Sequence, residues 1–241
     1  MIKRLRIFAG PNGSGKSSLV KDVALKYNIG HFINADLIFR SIQKHGFFNF
    51  NDFGIQSLKE LESMIEAKHG LFELSLTDYS QLSFDNSILK VPSLAKADNY
   101  FAGALATFIY RQLMLNDQTF SYETVMSDER KIEQFKEAKA KGFKLYMYFI
   151  CTDDPTINIG RIDQRVANNE HDVPDDIVIK RYYKVFQHLL DVIKLTDRTY
   201  LFDNSEKIRL FMEAEGGTQF TVKGKLPRWF IEHIYPQLDR I

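Results

Sequence analysis

One stretch of eight residues carries the plainest chemistry in the chain. Gly10-Pro11-Asn12-Gly13-Ser14-Gly15-Lys16-Ser17 fits the spacing G-x-x-x-x-G-K-[ST] without a mismatch. Glycines let successive backbone N–H groups face one anion, and a helix starting where the loop ends adds its positive pole. The lysine of such a loop reaches the β- and γ-phosphates of a nucleoside triphosphate, and the adjacent hydroxyl suits Mg²⁺. The loop is therefore expected to bind a nucleoside triphosphate through Gly10 to Ser18, with Ser17 on the metal.

A phosphate loop alone does not separate motor ATPases, GTPases and small-molecule kinases. Three later features bear on the choice. Asp36 follows a short strand that ends in Ile33-Asn34, so its carboxylate is either a general base for an acceptor hydroxyl or a cap for the helix that follows. Glu123 stands in the strand Phe120 to Val125, where a buried acid needs a metal, an arginine, a substrate hydroxyl or a salt-bridge partner. Arg40 and Thr124 are grouped with Asp36 and Glu123 as substrate contacts. Arg161 and Arg165 lie four apart on one helical face, followed by His171 and Arg181. Such arginines either cover phosphates and neutralise developing charge or form a solvated face paired with Asp163. His171 reads as a hydrogen-bond partner in a polar loop over 168–173. Asp153-Asp154 is a faint imitation of the acidic pair of an ATPase, although Asp153 equally suits a helix cap.

The elements that must position these residues alternate. A strand at Leu5 to Ala9 runs into the loop, and Leu19, Val20, Val23, Ala24 and Tyr27 mark a helix. His31 to Asn34 reads as a strand and Leu37 to Lys44 as a helix, which implies a parallel sheet with crossover helices. The rhythm breaks over 45–94, where Phe47, Phe48, Phe50 and Phe53 sit in turns and one helix falls near Leu58 to Lys68. It resumes with a helix from Ala95 to Leu115, the strand bearing Glu123, a helix from Glu129 to Lys141 and the apolar strand Lys144 to Cys151. A short helix spans Thr156 to Val166. Pro174-Asp175-Asp176 starts a long amphipathic helix with Val178, Tyr182, Val185, Leu189 and Ile193 on one face. A strand at Thr199 to Phe202, two strands around Gly216-Gly217 and a helix containing Trp229 complete the chain. The expected organisation is a single P-loop domain over 1–241: α/β, doubly wound and mainly parallel, with an insertion at 45–94 and a C-terminal extension at 206–241.

Composition excludes several classes. The chain has 241 residues, 44% apolar, with 32 basic against 31 acidic side chains. That is globular rather than disordered, and it lacks the basic excess that phosphate neutralisation demands of a nucleic-acid binder. No apolar run approaches the ~20 residues of a membrane span. The single cysteine, Cys151, sits in an apolar strand and reads as a reduced, buried hydrophobe in a cytoplasmic protein.

Phe8 to Ser17, Ile33-Asn34-Ala35-Asp36, Tyr122-Glu123-Thr124, Arg161 to Val166 with His171-Asp172-Val173-Pro174, and Arg181-Tyr182 together resemble the zeta-toxin-like P-loop kinases. The resemblance runs from Arg6 to Asn204 except in the middle. It implies a kinase fold with an arginine-bearing lid. It also implies transfer of the γ-phosphoryl group of ATP to the 3′-hydroxyl of the amino sugar of UDP-N-acetylglucosamine. By it Lys16 and Ser17 hold ATP and Mg²⁺, Asp36 is the base, Glu123 places the substrate, and Arg161, Arg165 and Arg181 serve the lid. An antitoxin protein is the partner it implies. The insertion either lines the acceptor pocket, with Phe47, Phe48 and Phe53 against a base or sugar, or packs as a surface subdomain. Two other readings stand beside this one: an ATPase or switch acting through a protein partner, and a nucleoside or polynucleotide kinase.

Overall fold

A computed structural model of the chain describes residues 2–167 and 173–240. The chain forms two compact units, residues 1–30 with 119–241, and residues 31–118. The first unit begins with β1 (Arg4–Ala9) and α1 (Lys16–Ala24). The second holds β2 (His31–Ile33), α2 (Ala35–His45), β3 (Phe47–Asn49), α3 (Lys59–Glu66), β4 (Ser83–Asp85), β5 (Ile88–Lys90) and α4 (Asn99–Leu115). The chain returns to the first unit with β6 (Phe120–Thr124), α5 (Glu129–Ala140), β7 (Lys144–Cys151), α6 (Pro155–Val166) and α7 (Asp175–Leu195). It closes with β8 (Arg198–Asp203), β9 (Arg209–Glu215), β10 (Gln219–Val222) and α8 (Arg228–His233).

Strands of the first unit follow the order β10–β9–β8–β7–β1–β6. The four from β8 to β6 are parallel, and the outer hairpin of β9 and β10 is antiparallel. This is the mostly parallel α/β sheet with flanking helices that the alternating pattern implied. β7 takes a central place because Leu145, Met147, Phe149, Ile150 and Cys151 are all fully buried, as a strand covered on both faces requires. β1 runs between β7 and β6, so the loop leaving its carboxyl end opens at the middle of the sheet, where open α/β sheets place their ligands.

α7 begins at Asp175 and buries Val178, Tyr182, Val185, Leu189 and Ile193, the face its periodicity marked. The C-terminal residues are part of this core. Trp229 is fully buried, with ring centroids 5.4 Å from Phe211, 5.6 Å from Phe149 and 5.8 Å from Phe186.

In the second unit α4 buries Phe101, Leu105, Phe108 and Ile109. Its start is later than the expected Ala95. Lys96 takes a left-handed backbone (φ 51°), and Asp98 caps the helix by accepting from the Phe101 N–H at 2.8 Å. Residues 47–90 also hold more order than the turns expected there: β3, β5 and β4 form a small antiparallel sheet. Each strand has three residues, too few to display an alternating pattern. Phe48 is core, 4.9 Å from Phe50, which in turn meets Phe108 at 5.7 Å. Of the three phenylalanines read as stacking partners, Phe47 alone is open to solvent, at 42% exposure. Among the described residues no helix is long and apolar enough to cross a membrane.

Candidate active site

The phosphate loop joins β1 to α1 and is held from three directions. Lys16 turns its buried Nζ back across the loop and donates to the carbonyls of Gly10 at 2.9 Å and Pro11 at 2.8 Å. Asn158 of α6 donates its Nδ2–H to the Asn12 carbonyl at 2.7 Å, and Asn204, just beyond β8, donates to the Ser14 carbonyl at 2.9 Å. Gly13 is pressed against α6: a Cβ there would lie 2.5 Å from the Asn158 carbonyl oxygen, and its φ of +76° belongs to glycine.

These contacts leave a loop whose polar groups would suit an anion. Gly15 stands at the N-cap of α1 and no side chain caps that helix, so first-turn N–H groups remain for a ligand. The Ser14 hydroxyl is buried without a hydrogen-bond partner among the described residues. Ser17 and Ser18 are exposed on the first turn of α1. A magnesium ion carried in with phosphates needs few protein ligands, and a single hydroxyl at Ser17 fits that requirement. No cluster of three His, Cys, Asp or Glu side chains among the described residues would cage a metal by itself.

α6 and α7 bring the arginines. Arg161 and Arg165 are half-buried, and Arg161 Nη1 and Arg165 Nε are buried without a hydrogen-bond partner among the described residues. Asp163 is exposed and accepts from neither of those two nitrogens. Buried guanidinium nitrogens lacking acceptors are costly, and an anionic ligand would satisfy them. Arg181 of α7 reaches the loop itself, its Nη1 donating to Asn12 Oδ1 at 3.4 Å. His171, Asp172 and most of the polar loop expected at 168–173 lie outside the described residues.

β6 delivers Glu123 and Thr124 to the same edge. In the parallel ladder they stand opposite Phe8 and Ala9, the last two residues before the loop, and both are half-buried. Thr124 accepts the Met126 N–H through its hydroxyl at 3.1 Å.

Asp36 and Arg40 belong to the second unit, both on α2, with Arg40 exposed and Asp36 in its first turn. The cap of α2 is Asn34, whose Oδ1 accepts from the N–H groups of Asp36 at 2.8 Å and Leu37 at 3.1 Å. Asp36 is thus not the cap. Its carboxylate projects from the first helical turn, beside the positive pole of the helix.

The acidic pair after β7 is occupied structurally. Asp154, not Asp153, caps α6, accepting from the Thr156 N–H and hydroxyl, and Asp153 Oδ1 accepts from the Trp229 N–H at 3.0 Å. Cys151 is fully buried, and burial pushes its thiol well above the ordinary range, as a structural cysteine requires.

Asn158, Asn204 and Thr152 escape a reading of the sequence. An isolated asparagine or threonine has no spacing signature, and the two asparagines reach the loop from 146 and 190 residues away along the chain.

No family model matches the chain. Over 91 residues it is 32% identical to an uncharacterized protein of Haemophilus influenzae, a match covering 38% of this chain and 63% of that one. Among solved structures, the AvrRxo1-ORF1:AvrRxo1-ORF2 crystal structure with sulphate ions matches 99% of the chain at a TM-score of 0.57 and 14% identity. The corresponding complex with ATP matches 98% at a TM-score of 0.58 and 16% identity. The structure of the PezAT chromosomal toxin–antitoxin system of Streptococcus pneumoniae matches 99% at a TM-score of 0.51 and 14% identity, covering 86% of that chain. The chain spans 63% of the Haemophilus relative and 65% of the AvrRxo1 chain. At these identities the likeness to the solved structures is one of fold. That fold is the mostly parallel α/β sheet with flanking helices described above.

Proposed function

We propose that the protein is a kinase that transfers the γ-phosphoryl group of ATP to a hydroxyl of a small acceptor. The observation that carries this reading is the union of an uncapped phosphate loop with two arginines whose buried nitrogens have no partner among the described residues. Lys16 and the loop amides hold the phosphates, and Ser17 holds Mg²⁺, which supplies charge neutralisation when bound. Arg161, Arg165 and Arg181 bind the phosphoryl oxygens and stabilise charge that develops on them. Asp36 accepts the proton of the acceptor hydroxyl, a role that suits a carboxylate with no capping duty. Arg40, Glu123 and Thr124 position the acceptor.

The resemblance names UDP-N-acetylglucosamine as the first acceptor to try. It also names an antitoxin as protein partner, and the fold-level match to the PezAT toxin–antitoxin system supports looking for one. The cytoplasmic setting is the reading that a single buried cysteine suggests. Residues 45–94 are read as an insertion into a P-loop kinase domain that either lines the acceptor pocket or packs as a surface subdomain.

Phosphorus NMR of the protein with ATP, Mg²⁺ and UDP-N-acetylglucosamine, beside the Asp36→Asn variant, tests the proposal. A sugar-phosphate resonance that is absent from the variant is the expected result. ADP and free phosphate in equal amounts from both proteins would refute the base and the transfer reaction together.

A further inference from the structure

Asn158 lies at the centre of a short relay in the first unit. It is fully buried on α6, and its Nδ2–H donates to the Asn12 carbonyl at 2.7 Å. Its Oδ1 accepts from the Thr152 hydroxyl, and the Thr152 carbonyl accepts from the Tyr182 hydroxyl of α7 at 2.7 Å. One residue before Tyr182, Arg181 donates to the Asn12 side chain at 3.4 Å. Both arginine-bearing helices are therefore tied to one residue of the phosphate loop, through its backbone and through its side chain.

The relay has a direction. Thr152 donates to Asn158 Oδ1, which leaves the amide N–H₂ as the end of Asn158 that faces the loop. On a helix, positions 158, 161 and 165 share one face, so the amide that grips Asn12 and the two guanidinium groups with open nitrogens belong to the same stripe of α6. The loop has other supports, from Lys16 and from Asn204. Among the described residues, the side-chain bond from α6 to the loop is that of Asn158.

We infer that Asn158 is a positioning residue: through Asn12 it sets the register of Arg161 and Arg165 against the γ-phosphate, with Thr152 orienting its amide. The inference rests on the kinase reading, because the γ-phosphate is what the two arginines would contact. Loss of Asn158 leaves the loop held by Lys16 and Asn204 and releases the helix. ADP binding, which uses the loop, then falls little, whereas the added affinity for ATP falls with the arginines. Loss of Asn204 is the contrasting case. It loosens the loop itself and weakens ATP and ADP alike.

Calorimetric titration with ATP and with ADP, each with Mg²⁺, separates these outcomes. The proteins are the wild type, Asn158→Ala, Asn204→Ala, Arg161→Ala and the double variant Asn158→Ala/Arg161→Ala. Asn158→Ala is expected to lower the ATP-to-ADP affinity ratio by about tenfold while ADP affinity stays within about twofold, the effect of removing one charge-assisted hydrogen bond to the γ-phosphate. Arg161→Ala should then cost little more in the Asn158→Ala background. Thr152→Val, which removes the hydroxyl that orients the amide, should shift the ratio in the same direction, and Thr152→Ser should restore it. That pair carries the test by itself if Asn158→Ala does not fold. A proportional loss of ATP and ADP affinity in Asn158→Ala, or a full Arg161→Ala effect in both backgrounds, would overturn the inference and leave the kinase reading intact. Wild-type protein that fails to bind ATP, or binds it no better than ADP, would overturn the assignment of the arginines to the γ-phosphate and the inference with it.

Discussion

Replacing Gly13 by alanine isolates how tightly the phosphate loop is seated on α6. Two costs add. A left-handed backbone, here φ +76°, costs an alanine about 1–2 kcal/mol. The new Cβ would also lie 2.5 Å from the Asn158 carbonyl oxygen and 2.9 Å from its Cα. Those atoms belong to helix backbone, so relief requires moving α6 or the loop, an overpacking cost of about 1–3 kcal/mol. The expected loss is about 2–5 kcal/mol. Gly216 provides the control in the same unit, with φ +59° and open space where its Cβ would stand. Gly216→Ala carries the backbone cost alone, about 1–2 kcal/mol, partly offset by the lower entropy of its unfolded chain. Urea unfolding read by tryptophan fluorescence measures both, because Trp229 is the single tryptophan and is fully buried in this unit. If Gly13→Ala loses no more stability than Gly216→Ala, within about 0.5 kcal/mol, α6 yields to the methyl group and the loop is not clamped as described.

Other outcomes follow from single contacts. Asn34→Ala removes the cap of α2 and should cost about 1 kcal/mol in thermal unfolding, whereas Asp36→Asn should change stability by less than about 0.5 kcal/mol. Equal losses would return the capping role to Asp36. Trp229→Ala should cost about 3–5 kcal/mol in urea unfolding followed by far-UV circular dichroism, since it empties a site ringed by Phe149, Phe186 and Phe211. A loss below about 1 kcal/mol would show that the C-terminal residues are not part of the core. Cys151 should resist thiol reagents in the folded protein and react only as fast as the chain unfolds, because burial raises its thiol above the ordinary range. Rapid labelling of native protein at neutral pH would contradict that burial.

Much of the architecture is legible in the order of residues because it is written in local terms. The phosphate loop is contiguous, its glycines and lysine are needed in one place, and the strand before it and the helix after it follow from apolar spacing over a few residues. The same holds for β7, whose unbroken apolar run marks a buried parallel strand, and for α7, whose stripe from Val178 to Ile193 recurs every three or four residues. Where elements are short the signal fails. β3, β4 and β5 have three residues each, and the caps at Asn34 and Asp98 stand a few positions from the expected helix starts because several polar residues nearby suit a cap equally.

What residue order by itself determined is which groups the chain brings: a glycine-rich loop with the spacing of a phosphate cradle, acids in and after strands, and arginines four apart on a helix. Tertiary structure alone decided how that chemistry is held. Asn158 and Asn204 grip the loop because α6 and the end of β8 arrive beside it, and Asp153 is withdrawn from any acidic pair because the Trp229 N–H lies against it. Polar side chains find partners by proximity in space, and a hydrogen bond between residues 146 or 190 positions apart leaves no periodicity in the sequence.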